Sequence, residues 1–329
     1  MTMPVAIPLR FVLFALIGAA PIYAEAPHEE DIVYKTTGDG KELHMLVNYP
    51  SGWQPEDRRT AMLFFHGGGW TQGSYIGFAN QTNYFVSRGI VMFRVQYRLL
   101  KASEPAIPAK CAQDARSAMR FVRANAARFG IDPERIVSCG GSAGGHLAAT
   151  VSIEAGLDDP ADDLAVSPKP QAMALMNPAL DLIMEAEKRG ILIPEKQMET
   201  VRRISPQQNL DENTPPSVIF FGDRDRLLPH GTNYAEKAAR LGVRADLHVY
   251  EGVGHTFWRR AIFEDEVIFV IDEFLASLGY LDGPPTISRP TQEDLRKGAA
   301  LEQERAAVAP DAEERLLEGM GKPAKQPAS

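Results

Sequence analysis

The chain has 329 residues, 44% hydrophobic and 24% charged, enough apolar material to bury a large core. Its formal charge of -8 argues against nucleic acid and anionic membrane surfaces as partners, since both repel an acidic protein. Two cysteines, Cys111 and Cys139, are too few for a disulfide scaffold and fit no metal-ligand spacing, so no metal or other cofactor is expected.

Arg10 precedes an apolar run, Phe11 to Ala20, and Ala24-Glu25-Ala26 supplies small residues at A-x-A spacing. Residues 1–26 therefore read as a secretory signal cleaved after Ala24 or Ala26, which predicts a periplasmic or extracellular protein. The run is too short to span a bilayer comfortably, so no membrane span is expected after cleavage.

One domain is expected over residues 27–282. Ile32 to Lys35 and Leu43 to Tyr49, separated by Gly38-Asp39-Gly40, read as an opening hairpin. Ala61 to Phe65 is a continuous apolar run, the pattern of a strand covered on both faces, and it ends in His66-Gly67-Gly68-Gly69-Trp70. A helix near Asn80 to Ser87 and a strand over Ile90 to Tyr97 follow. Ala112, Ala115, Met119, Val122, Ala126 and Phe129 recur at helical spacing, predicting a helix over 109–129 that stops at Gly130.

Ile136 and Val137 mark the next strand, and helix resumes over Ala143 to Thr150. An Asp- and Pro-rich loop (158–170) leads to a strand over Ala172 to Met176. Residues 177–216 carry a mixed helical pattern, read as a small lid. Strands over Ser217 to Phe221 and Ala245 to Tyr250, and helices over Thr232 to Leu241 and Phe263 to Leu278, complete the domain. Eight candidate strands alternating with helices predict an α/β fold with a mostly parallel sheet covered on both faces. Beyond residue 282 a charged, Pro- and Ala-rich tail without aromatics is expected to add little core, with a short amphipathic helix over 295–308.

Chemistry concentrates at the ends of these strands. Gly140-x-Ser142-x-Gly144 between a strand and a helix is the pattern of a nucleophile elbow, in which flanking small residues let the backbone turn sharply beneath an exposed hydroxyl. A serine attacks a carbonyl efficiently only if a base takes its proton and a carboxylate orients that base. The acid is expected after Ser217 to Phe221, where Asp225 lies beyond the strand end and Asp223 is better placed to brace the turn. The base is expected to be His255, on the glycine-rich loop Gly252-Val-Gly254; His230 and His248 fall at structural positions and His66 precedes the serine. The N–H groups of Gly67, Gly68 and Ala143 are the expected oxyanion donors.

HGGGW at 66–70, GGSAGGHLA at 140–148, GDRDRLLP at 222–229 and GVGHTF at 252–257 resemble the α/β-hydrolase esterases of the hormone-sensitive-lipase-like group and related bacterial acetyl and feruloyl esterases. The resemblance spans roughly residues 41–280. It implies an α/β-hydrolase fold and a serine carboxylic-ester hydrolase acting on a small-molecule or carbohydrate ester through an acyl-enzyme. Two departures stand out: Gly141 replaces the aspartate common before the serine, and the long N-terminal helical cap is missing. Trp70, Tyr75, Phe78, Phe257 and Trp258 are the candidate pocket residues. An amidase or peptidase on the same triad, or a catalytically silent binding protein, are the rival readings.

Overall fold

The structure, a computed structural model, describes residues 28–101, 107–154 and 156–308; the segment read as an export signal and the last part of the tail lie outside them. The strands are β1 (His28–Thr36), β2 (Glu42–Tyr49), β3 (Arg59–Phe65), β4 (Val91–Val95), β5 (Ile131–Gly141), β6 (Ala172–Met176), β7 (Ser217–Gly222) and β8 (Ala245–Tyr250). They form one eight-stranded sheet in the order β1-β2-β4-β3-β5-β6-β7-β8. β1, β2 and β4 pair antiparallel, and every pairing from β4 to β8 is parallel.

Alternation along each central strand feeds two separate cores. Ala61, Leu63 and Phe65 of β3 enter one apolar cluster, while Met62 and Phe64 enter the other. Cys111 and Cys139 belong to opposite clusters, so the sheet separates them and both are buried free thiols. Burying each large apolar side chain stabilises the fold by about 1.5–3 kcal/mol, which is why so unbroken an apolar run occupies the centre of the sheet.

The helices are α1 (Ala79–Ser87), α2 (Ala109–Ala124), α3 (Ala143–Thr150), α4 (Leu182–Lys188), α5 (Glu195–Arg203), α6 (Leu228–Leu241), α7 (Ala261–Ser277) and α8 (Gln292–Val308). α2, α3 and α6 supply the first cluster; α1, α7 and α8 supply the second. α2 ends at Ala124, earlier than its apolar spacing suggested. Ala126 and Phe129 still enter the core, but from the turns that lead to Gly130.

Two expectations are corrected. Residues 177–216 do not close over the serine: Leu182, Val201, Ile204 and Leu210 pack into the first cluster, so α4 and α5 serve as an additional core layer beside α3. The tail also contributes core, because Leu295 and Ala299 of α8 are buried in the second cluster against α7. No helix among the described residues is long and apolar enough to cross a membrane.

The C-terminal ends of the parallel strands lie along one edge, and the loops leaving β3, β5, β6, β7 and β8 carry His66, Ser142, Asn177, Asp225 and His255 respectively. Such an edge is where open parallel sheets bind ligands.

Candidate active site

β5 runs directly into Ser142, which precedes α3 with φ 56° and ψ -118°. A non-glycine residue held in so sparsely populated a conformation costs on the order of 1–3 kcal/mol. The surrounding structure enforces it: Ser142 N–H donates to Met176 O at 2.8 Å, and Ser142 O accepts from His146 N–H at 3.0 Å. The elbow also requires close packing that only glycine allows, since a Cβ on Gly144 would lie 1.9 Å from Phe65 O.

The loop after β8 is pinned by Asp223, whose Oδ1 accepts from Gly252 N–H at 2.8 Å. From that loop His255 Nε2 lies 2.7 Å from Ser142 Oγ, and Nδ1 lies 2.9 Å from Asp225 Oδ2. His255 is 3% exposed and Asp225 4%, so the chain of hydrogen bonds is shielded from bulk water. Asp225 Oδ1 also accepts from Leu227 N–H at 2.9 Å, and the Asn177 side-chain amide donates to Oδ2. Burial pushes the Asp225 carboxyl up, but the charge of His255 and its hydrogen bond, with those from Leu227 and Asn177, outweigh it and hold the group below the usual carboxylate range. A buried, ionised Asp225 on Nδ1 leaves Nε2 as the nitrogen that faces the serine.

Gly67 brings the loop after β3 against the elbow: a Cβ there would lie 2.9 Å from Gly141 O and 3.4 Å from Ser142 Cβ. Gly68 follows at φ 116°, and its carbonyl accepts the N–H groups of Thr71 and Gln72, each at 3.1 Å, which fixes the loop. Ala143 is the first residue of α3 and fully buried, so its N–H lies at the positive end of that helix. His66 stacks on Tyr97 with ring centroids 4.2 Å apart, and its Nδ1 lies 2.8 Å from Gly67 O; it shapes this loop.

Comparison with known proteins fits this geometry. A family model described as the alpha/beta hydrolase fold matches residues 62–259, more than half of the chain. The solved structure of Thermogutta terrifontis esterase 2 in its apo form superposes with a TM-score of 0.70 at 36% identity, covering 79% of this chain and 98% of that one. This chain is an esterase-type α/β hydrolase. Among sequence relatives, an AB hydrolase superfamily protein of Schizosaccharomyces pombe is 29% identical over 63% of this chain, which spans 65% of that protein, just under two thirds. The ethyl acetate hydrolase of Pseudomonas putida is 26% identical over 70% of this chain and 76% of its own length.

In this hydrolase a cavity of about 550 Å³ opens beside Ser142 and His255. Of the five aromatic residues expected to line it, Phe78 and Trp258 do so, their rings stacked with centroids 5.5 Å apart and 12° between planes. The other three do not. Trp70, at φ 61°, turns onto α3 and packs edge-on against His146 at 5.2 Å. Tyr75 reaches outward to Asp31, with Oη 3.3 Å from Oδ2. Phe257 is buried between Tyr250 and Phe263 in the second core cluster. Proximity to a motif does not decide where a ring points; the backbone conformation and the nearest core do.

Sequence reasoning missed Asn177. It is fully buried at the end of β6 with φ 48°, and its N–H donates to Phe220 O at 2.8 Å. The available signal was its type: asparagine tolerates positive φ better than most residues, and Asn-Pro after a buried strand marks a sharp turn.

Proposed function

We propose that this hydrolase is a serine carboxylesterase for esters with short acyl groups, acting through an acyl-enzyme on Ser142. The observation that carries the reading is the continuous hydrogen-bonded series from Ser142 Oγ through His255 to Asp225, at 2.7 and 2.9 Å. His255 Nε2 takes the hydroxyl proton as Oγ bonds to the ester carbonyl carbon, and Asp225 stabilises the imidazolium that results. The N–H groups of Gly67, Gly68 and Ala143 meet the charge on the tetrahedral oxygen, each such donor being worth about 2.7–4 kcal/mol of barrier. Collapse breaks the carbon–oxygen bond to the alcohol, which leaves with the proton from His255. Water, deprotonated by the same imidazole, then attacks the acyl-enzyme and releases the acid.

A short acyl group is supported by the bulk of Trp258 and Phe78 on the cavity wall. It is also supported by the propionate-bound and butyrate-bound structures of the 34% identical Thermogutta esterase. Residues 1–26, read as an export signal, support action outside the cytoplasm. Acetyl esters, including acetylated carbohydrates, are the expected substrates; methyl ferulate tests whether an aromatic acyl group is admitted.

Measuring p-nitrophenyl acetate hydrolysis in Ser142→Ala tests the mechanism. The rate should fall at least about a thousandfold, as removal of a triad nucleophile does elsewhere, with far-UV circular dichroism unchanged. A folded variant that kept more than a tenth of the activity would overturn the assignment. The matched anilide should be a far poorer substrate of the unmodified enzyme, and equal rates would favour an amidase.

A further inference from the structure

We propose that the alcohol half of the ester is a neutral polyhydroxylated molecule, and that Glu264, in the first turn of α7, accepts one of its hydroxyls. This rests on the esterase reading above. Small-molecule pockets are usually lined mainly by apolar side chains with a few placed polar groups. By side-chain type this one inverts that proportion, although carbon atoms still supply the larger part of its surface. Among the described residues lining it, none is Leu, Ile, Val or Met, and beyond the glycines the apolar surface is Phe78, Ala79 and Trp258. Besides Ser142, His255, His66 and Thr256, the rest of the wall is built from Gln72, Ser74, Asn80, Gln81, Arg259 and Glu264.

An alkyl group entering this space would strip water from amide, guanidinium and carboxylate groups and return nothing to them, a cost that opposes the gain of about 0.8 kcal/mol per buried CH₂. A hydroxyl both donates and accepts, so each that enters can replace a lost water. The charges select further. Arg259 disfavours a cationic alcohol and Glu264 an anionic one, which leaves a neutral, hydroxyl-rich group.

Glu264 is the focal acceptor. Asn80 Nδ2 donates to its Oε2 at 3.3 Å, which joins α1 to α7 across the cavity wall and orients the carboxylate. Burial, with the neighbouring Asp265 charge, raises the carboxyl above its ordinary range, and the opposing effects of Asn80 and Arg259 do not compensate. The carboxylate is thus held in place on the cavity wall, where a ligand hydroxyl can donate to it. With the acyl half kept short beside Trp258, the polar remainder of the cavity is left for the alcohol.

The test compares kcat/KM of the full chain for glycerol monoacetate and 6-O-acetyl methyl glucoside with that for propyl and cyclohexyl acetate. The unmodified enzyme should favour the hydroxylated esters at least tenfold. In Glu264→Ala that preference should fall by about ten- to a hundredfold, the range for loss of a hydrogen bond to a charged group, with the change in KM of the hydroxylated esters. Glu264→Gln, which keeps an acceptor, should recover part of it. Asn80→Leu provides an independent variant should the alanine variant fail to fold, and should also lower the preference. A preference for glycerol over glucoside acetate identifies a small polyol, and the reverse a sugar. Alkyl acetates hydrolysed as well as their hydroxylated counterparts, or a Glu264→Ala effect equal on both, would overturn the proposal while leaving the esterase reading intact. Failure of all acetates, with no labelling of Ser142 by a fluorophosphonate, would instead overturn the esterase reading.

Discussion

Trp258 occupies the space into which a side chain at position 141 would point. A Cβ on Gly141 would lie 2.2 Å from Trp258 Cζ2 and 2.7 Å from Cη2, far inside contact distance. The indole cannot simply retreat, because it stacks on Phe78, whose ring is in turn 3.9 Å from that of Phe64. The glycine before the serine and the tryptophan three residues after His255 are therefore one packing unit. Gly141→Ala should lower kcat/KM for p-nitrophenyl acetate at least tenfold by forcing the indole or the elbow out of place. In Gly141→Ala/Trp258→Ala, where the obstacle is gone, the loss should be smaller than the sum of the two single effects. Strict additivity in that double-mutant cycle would show that the two residues do not communicate.

Ser142 and Asp225 were readable in the sequence because each follows a buried apolar strand, and His255 because it follows the last strand, β8, on a glycine-rich loop. The glycines at 140 and 144 let the elbow turn, and Gly252 and Gly254 let the last loop bend toward the sheet edge. The role of Asn177 was not readable: its type and the proline after it signal a sharp turn, but its task depends on Asp225, 48 positions away.

At the scale of elements, α8 shows how composition misleads. Gln292 to Val308 is charged and alanine-rich, yet Leu295 and Ala299 are both 8% exposed and sit in the second core cluster with Phe263. Three buried positions, Leu295, Gly298 and Ala299, two of them small, are too few to stand out against a polar background. The start is nevertheless well defined: Thr291 and Asp294 cap reciprocally, Asp294 N–H donating to Thr291 Oγ1 at 3.2 Å and Thr291 N–H to Asp294 Oδ2 at 3.0 Å. Arg260 to Glu302 at 3.1 Å and Arg289 to Glu266 at 2.9 Å bind the segment to α7 and its approach. Both pairs are partly exposed and contribute little on their own. The apolar contact should dominate. Leu295→Ala should reduce the free energy of unfolding in urea by about 2 kcal/mol, the low end for a buried leucine at the edge of a core. A change under 0.5 kcal/mol would mean that α8 is only loosely applied to the domain.

Across the whole molecule, the layer formed by α4 and α5 is held to the α/β core by two buried histidines. His146 of α3 donates from Nε2 to Ile204 O at 2.7 Å, leaving Nδ1 buried without a partner. His230 of α6 accepts at Nδ1 from Asp181 N–H at 3.1 Å, where Asp181 caps α4. Both imidazoles are fully shielded, and burial pushes each down to about 4, below its ordinary value of 6.5. Both are thus neutral in the folded protein at pH values where the unfolded chain takes up protons. The sign follows directly: their stabilising effect is complete above pH 6.5 and is lost as pH falls toward 4. Each contributes on the order of 3 kcal/mol at neutral pH by that linkage. Asp162 and Glu264, whose carboxyls are raised chiefly by burial, act in the opposite sense, so variants are needed to isolate the histidines. Urea unfolding at pH 7.0, 5.5 and 4.5 should show a steady fall in stability, and in His230→Gln the fall should be shallower whatever its stability at pH 7. An unchanged slope in that variant would remove His230 from the account and leave the acid sensitivity to the carboxylates.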